Sequence, residues 1–153
     1  MAKNTIIVKN YLNIFDEKTA TAVAITPGYL LEITSTGAVQ AHSGEGQTVL
    51  PMFAIEDSLQ GKGITDDYAV SSQVQVWIPQ RGDIVYALLS NGESVAIGAL
   101  LESDGAGKLQ AYSADSAGAV EYPNSIVGVA LEAVDMSGSS GADPDGRIQV
   151  LIM

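Results

Sequence analysis

The sequence predicts an all-β protein: a compact β-barrel or sandwich built from two duplicated β-units, with an extended N-terminal arm. Three observations carry this. No segment holds apolar residues at i, i+3, i+4 and i+7 for three turns without a Gly or Pro nearby. Short β-branched or alternating runs recur between Gly-, Pro- and Asn-containing breaks. Residues 27–42 reappear, altered, as residues 97–112. The chain has 153 residues, 46% of them hydrophobic, which is enough for a sizeable core and argues against wholesale disorder.

The elements follow in order. Ile6-Ile7-Val8 is a short β-branched run. Residues 19–26 alternate small and apolar side chains. Pro27-Gly28 then makes a turn, because Pro presets φ and Gly accepts positive φ. Residues 29–34 form the next strand, and Gly37 breaks the chain before residues 38–41. Residues 73–78 (QVQVWI) have a period of two: Val74, Val76 and Ile78 share one face, and Gln73, Gln75 and Trp77 the other. Residues 83–89 form another strand, and Asn91-Gly92 signals a hairpin turn before residues 95–102. Residues 147–152 close the chain, with Ile148, Val150 and Ile152 on one face. Residues 60–63 and the polar stretch 137–146 read as loops. Short helices at 57–59 or 113–117 are weak possibilities.

The internal repeat is the most informative feature. Between 27–42 and 97–112, seven of sixteen aligned positions are identical: Gly28/Gly98, Leu30/Leu100, Leu31/Leu101, Glu32/Glu102, Gly37/Gly107, Gln40/Gln110 and Ala41/Ala111. Chance would give about one. Ala54-Ile55-Glu56 then pairs with Ala130-Leu131-Glu132, and residues 74–78 pair with 148–152. Two units, about 24–80 and 94–153, are joined by residues 81–93. Each is too short to bury its apolar face alone, so they are expected to pack around one shared core. The organisation is thus an arm, 1–15, and a single β domain, 16–153. Trp77 and its counterpart Leu151 are large apolar residues on otherwise polar strand faces. Each is either a second core layer or an exposed anchor at a subunit contact.

Charge narrows the partners. Seven Lys+Arg against 18 Asp+Glu give a net charge of −11. Such a surface repels phosphate backbones and anionic membranes, so direct nucleic-acid and membrane binding are disfavoured. No apolar run is long enough for a spanning helix. Residues 1–15 carry Lys3 and Lys9 and no acid. This basic, apolar-dotted segment is either a frayed terminus or an arm that orders on a partner.

Little chemistry is implied, and neither catalysis, a cofactor nor a metal is expected. There is no cysteine, which excludes disulfides and thiolate sites. His42 is the sole histidine, lies beside a Gly- and Glu-containing loop, and has no Gly-x-Ser-x-Gly elbow near it. Glu32/Glu102 and Glu56/Glu132 recur between the units. Duplication implies like environments, whereas a catalytic carboxylate pair needs unlike ones. Asp66-Asp67 and Asp143-Pro144-Asp145-Gly146 offer oxygen ligands for calcium without the spacing of a complete loop, and also suit ordinary turns.

Taken together, the N-terminal extension, the Thr26-Pro27-Gly28 turn into a hydrophobic strand, the Gly-punctuated middle, Val-Gly-Val-Ala-Leu-Glu-Ala at 127–133 and the final Arg-Ile-Gln-Val-Leu-Ile at 147–152 resemble the capsid decoration (cement, head-stabilising) proteins of tailed bacteriophages. The resemblance covers most of residues 25–153. It implies a structural virion protein on the outer capsid surface, made in the host cytoplasm. Such a protein clamps neighbouring major capsid subunits as a homo-oligomer, with a trimer favoured. Lys3, Ile6, Ile7, Val8, Lys9 and Tyr11 would form the capsid-binding arm, and Trp77 and Leu151 the subunit contacts. The clear duplication is a feature that not every decoration protein shows. The alternatives are a carbohydrate- or ligand-binding β-barrel, for which no aromatic cluster is visible in the sequence, or a tail or fibre component.

Overall fold

The computed structural model describes residues 2–21, 23–114, 120, 122–138 and 146–153. Their strands are β1 (Ile7–Lys9), β2 (Phe15–Thr19), β3 (Leu31–Ile33), β4 (Val39–Ala41), β5 (Phe53–Ala54), β6 (Gln73–Trp77), β7 (Ile84–Leu89), β8 (Ser94–Val95), β9 (Leu100–Ser103), β10 (Leu109–Ala111), β11 (Ile126–Ala130), β12 (Val134–Asp135) and β13 (Gly146–Ile152). The one helical element among the described residues is a 3-10 turn, Ser58–Gln60, capped by the Asp57 carboxylate. The protein is all-β, as the sequence predicts.

The second half forms a closed barrel. Its strands run β7-β10-β9-β11-β13, and β13 pairs back onto β7. The first half repeats this pairing residue for residue. The β3–β4 hairpin sets Leu31, Glu32 and Ile33 opposite Ala41, Gln40 and Val39; β9–β10 sets Leu101, Glu102 and Ser103 opposite Ala111, Gln110 and Leu109. Ala54 faces Val76 as Ala130 faces Val150. The parallel contact Ala20↔Val39 matches Leu89↔Leu109. The Ile25↔Tyr68 bridge matches the β8–β12 pair, Val95↔Val134. The first half is therefore also a ring, β2-β4-β3-β5-β6, closed partly by single bridges.

The repeat reaches further back than the aligned residues. β2 lies against β6 with Phe15↔Trp77, as β7 lies against β13 with Ile84↔Leu151. Residues 81–93 are thus no mere bridge, because they contain β7, the first strand of the second barrel. Asn91-Gly92 does turn the chain, but β8 pairs with β12 and not with β7, so no hairpin forms there.

Each barrel has its own lining. Ala20, Ile25, Leu31, Val39, Ala54, Val74 and Val76 fill the first. The twin positions Leu89, Val95, Leu101, Leu109, Ala130, Ile148 and Val150 fill the second. The expected single shared core is thus two. The larger cluster extends beyond the second barrel to Leu30, Phe53 and Trp77 on the outer wall of the first, and to Ile6. That extension is the seam between the barrels. Burying each such side chain contributes about 1.5–3 kcal/mol, so the seam is a major source of cohesion.

Backbone contacts lock the seam. Leu88 N–H donates to Gly28 O (3.2 Å), Leu30 N–H to Gly107 O (2.8 Å) and Gly107 N–H to His42 O (3.1 Å). Gly107 sits at φ +83°, and a Cβ there would lie 2.8 Å from Ala41 Cβ and 3.1 Å from the Tyr29 ring. Only glycine permits this approach. The Arg147 guanidinium crosses the seam to the carbonyls of Pro27 (2.8 Å) and Ile64 (2.6 Å).

Candidate interaction surface

The N-terminal segment is built into the fold. β1 pairs antiparallel with β7, Ile7 opposite Val85. Ile6 is fully buried in the seam core. Its carbonyl accepts from Tyr86 N–H (2.8 Å), and its own N–H donates to Glu56 Oε2 (3.1 Å). This corrects the reading of Ile6 as a capsid-binding arm residue, because a side chain enclosed by the protein's own core has no surface to offer. Lys3, Ile7 and Val8 are half-buried. Lys9 is exposed, its ammonium 5.2 Å from the centre of the Tyr11 ring, and Tyr11 is 66% exposed.

Trp77 is corrected as well. It lies on the outer face of β6, as alternation requires, but that face is covered and its exposure is 0%. It is a core residue of the seam, and its indole Nε1 finds no hydrogen-bond partner among the described residues. Leu151 occupies the twin position on β13 and is only half-buried.

What alternation could not indicate is the exposed apolar band that follows β1. Leu12 is 63% exposed, and Ile14 and Phe15 are also open to solvent. Phe15 lines a groove of about 360 Å³ with Thr5, Ile7, Ile55, Gln75 and the turn at Ser58 and Leu59. Glu56 and Asp57 line the same groove, so the band is apolar with acids beside it, while Lys9 sits over the Tyr11 ring. The signal in the sequence is the absence of acids from residues 1–15.

His42 has a structural setting. It is buried; Nδ1 lies 2.8 Å from Ser103 Oγ, Nε2 lies 3.3 Å from Thr48 O, and Glu32 Oε2 is 4.0 Å away. The three side chains superficially suggest a triad. Ser103 is fully buried, however, and its hydroxyl already accepts from Gly105 N–H (3.1 Å), so no carbonyl can reach it. The imidazole joins the two barrels. Partial burial pushes the Glu32 carboxyl up, but hydrogen bonds from Ser43 and Gln40 and the neighbouring His42 outweigh it, leaving the pKa below its ordinary value.

The repeated carboxylates hold strand partners. Glu32 accepts from Gln40 directly across the hairpin (2.6 Å), as Glu102 does from Gln110 (3.2 Å). Glu132 binds the N–H and side chain of Gln149, while Glu56 takes the N–H of Ile6. Glu102 is fully buried, and its second oxygen has no partner among the described residues. A cavity of about 340 Å³ beside it brings together Arg81, Tyr112, Tyr122 and Asn124, aromatics far apart in the chain. Among the described residues no cluster of three or more His, Asp or Glu could hold a metal ion. The candidates Asp143 and Asp145 lie outside the described residues. Of the other pair, Asp66 accepts from Gly63 N–H (2.7 Å), a turn contact.

Fold and surface together define a tandem β-barrel with an exposed apolar N-terminal band and its single histidine enclosed. No family model matches the chain, and no curated protein matches it. Among solved structures it is similar to the head fiber gp8.5 N base in bacteriophage phi29, with a TM-score of 0.57 and 11% sequence identity, over 93% of this chain and 95% of that one. At that identity the likeness is one of fold. It extends across both barrels.

Proposed function

We propose that this protein is a structural component of a tailed-bacteriophage virion. In this reading it binds the outside of the head and stabilises it by clamping neighbouring major capsid subunits. The observation that carries the reading is the fold shared, over nearly the full length of both chains, with a head fiber base. The exposed apolar residues of the N-terminal segment support it: Tyr11, Leu12, Ile14 and Phe15 offer adhesion on a chain that is otherwise strongly anionic. A clamp that touches several subunits adds its binding free energy only to the joined state of the shell. Multiplicity lets modest contacts act together. The acidic body faces solvent and keeps away from nucleic acid and membranes. The test is sedimentation of the full chain with empty mature heads. Co-sedimentation that is lost in Leu12→Glu with Phe15→Glu is expected; a protein that stays in the supernatant refutes the reading.

One observation favours a second reading, a carbohydrate-binding barrel. Tyr112 and Tyr122, each more than a third exposed, line one cavity with Arg81 and Asn124, the kind of set that stacks on and hydrogen-bonds a sugar ring. A glycan screen separates the two, since capsid adhesion requires no saccharide.

A further inference from the structure

The twin carboxylates of the two hairpins are bonded alike at one oxygen and differently at the other. Glu32 Oε1 accepts from Gln40 (2.6 Å) and Ser43 Oγ (2.7 Å); Glu102 Oε1 accepts from Gln110 and from Ser113 N–H (3.2 Å each). The aromatic residue that follows each hairpin is also held alike. His42 N–H donates to Leu30 O (2.9 Å), and Tyr112 N–H to Leu100 O (2.8 Å). From that position the imidazole brings Nε2 to 4.0 Å from Glu32 Oε2. Tyr112 instead lines the cavity of about 340 Å³, as Glu102 does, and Glu102 Oε2 has no partner among the described residues. Strand alternation turns Leu101 into the barrel lining and Glu102 outward, so this carboxylate is buried outside the barrel wall. The first barrel thus sets a nitrogen beside its carboxylate, and the second sets a cavity beside its own.

The groups around the cavity select its ligand. A buried acceptor without a partner is costly, and an N–H or O–H donor relieves that cost, a charged donor most of all. Two carboxylates act on the site: the Gln110 side-chain amide lies 3.2 Å from both Glu102 Oε1 and Glu45 Oε1 and is shared between them. Tyr112 and Tyr122 stand in the same wall, and aromatic faces attract cations. The net charge of −11 favours a cation over an anion at every approach. Arg81 is the one cationic side chain among the described lining residues. It is exposed and makes no ion pair among the described residues, so it leaves Glu102 unneutralised while disfavouring a second positive charge beside it.

We propose that this cavity binds a small organic monocation, an amine whose ammonium donates to Glu102 Oε2 beside the tyrosines while an acceptor at its far end meets Arg81. Selection by positive charge goes beyond the saccharide reading of the same cavity, and it requires no capsid. Two matched pairs test it at neutral pH: benzylamine with benzyl alcohol, and glucosamine with glucose. Affinities for the full chain are measured by calorimetry, and amide NMR shifts locate the site. Each amine is expected to bind at least about tenfold more tightly than its neutral counterpart, to shift the signals of Glu102, Tyr112 and Ser125, and to weaken with added salt. Glu102→Gln keeps the shape of the side chain and loses its charge, so the preference for the amine should disappear while the circular dichroism stays unchanged. Arg81→Gln, at an exposed position that the fold does not depend on, should tighten amine binding severalfold by removing a like charge, a gain that a purely structural role would not produce. Amines that do not bind, or bind no more tightly than their neutral counterparts, overturn the proposal, as does a Glu102→Gln protein that keeps the preference. Glucose that binds as tightly as glucosamine overturns it while leaving the saccharide reading standing. Both amines bound with glucose unbound supports it and removes that reading.

Discussion

Ile6→Ala separates a strand from an arm. Ile6 is fully buried in the seam, between Gly28 of the first barrel and Tyr86 of the second. Its backbone is held at both ends, by Tyr86 N–H and by Glu56. Truncation removes buried methyl and methylene groups and leaves a cavity that the two barrels can only partly close. Such Ile→Ala changes cost about 2–5 kcal/mol. With a urea m-value of roughly 2 kcal/mol/M, the midpoint should fall by about 1–2.5 M. The assay is urea unfolding followed by circular dichroism, with Lys9→Ala and Tyr11→Ala as neighbours. Those two lose only an exposed cation–ring contact and should each change stability by less than about 1 kcal/mol. If Ile6→Ala were as mild as they are, the segment would be a loose tether and the seam core would be misassigned. The same logic applies to removal of residues 1–12. Deletion takes β1 and Ile6 out of the core, so loss of binding by a truncated chain would not isolate a docking role.

Trp77→Ala should cost about 3–5 kcal/mol, as a fully buried indole does. Trp77→Phe should cost much less, because it keeps an aromatic ring while removing a buried N–H that has no partner and that carries a penalty of about 1–3 kcal/mol. Since Trp77 is the only tryptophan, native emission should be blue-shifted and move red on unfolding; an emission typical of solvated indole in the native protein would place it outside the core. Tyr68 donates to Ile55 O (2.7 Å), and burial pushes its hydroxyl up from 10.0 to about 12. Between those values the unfolded chain has lost this proton and the folded one retains it, so stability falls as pH rises through the window. Tyr68→Phe should lose about 1 kcal/mol at neutral pH and flatten the alkaline decline; thermal melts from pH 9 upward that are parallel for the two proteins would refute the assignment.

The hairpins were readable because the residues that set their register were retained in both units. Glu32 with Gln40 and Glu102 with Gln110 sit directly opposite on adjacent strands and bond there, so identity survived at both positions. The kinship of β2 and β7 was invisible for the opposite reason. One strand reads FDEKT with its flank in water and the other IVYALL pressed into the seam, so burial rewrote the side chains while the pairing register persisted. Trp77 was ambiguous because alternation assigns a residue to a strand face and cannot say whether another barrel lies over that face. The β-branched run at Ile6-Ile7-Val8 posed the same problem, because a strand that adds to its own sheet and one that adds to a partner's have the same composition.

Duplication turns these ambiguities into a comparison within one molecule. Every outer face occurs twice, and divergence between twins reports what each face meets. Where Tyr86, Leu88 and Arg147 became, or arose from, Glu17, Thr19 and Gln73, a contact surface and a solvated surface stand at equivalent positions. A stripe across four strands of the outer wall behaves differently: Leu100 is exposed and Val129, Leu151 and Ile84 are half-buried, yet all are apolar, like the covered Leu30, Phe53 and Trp77 and the exposed Phe15 at the twin positions. A solvated face under no other constraint drifts toward polar residues, as the Glu17 face shows. An apolar stripe that crosses four strands in both barrels, mostly covered in one and partly open in the other, follows from the register the two units share, and its exposure is set by whether the other barrel lies over it.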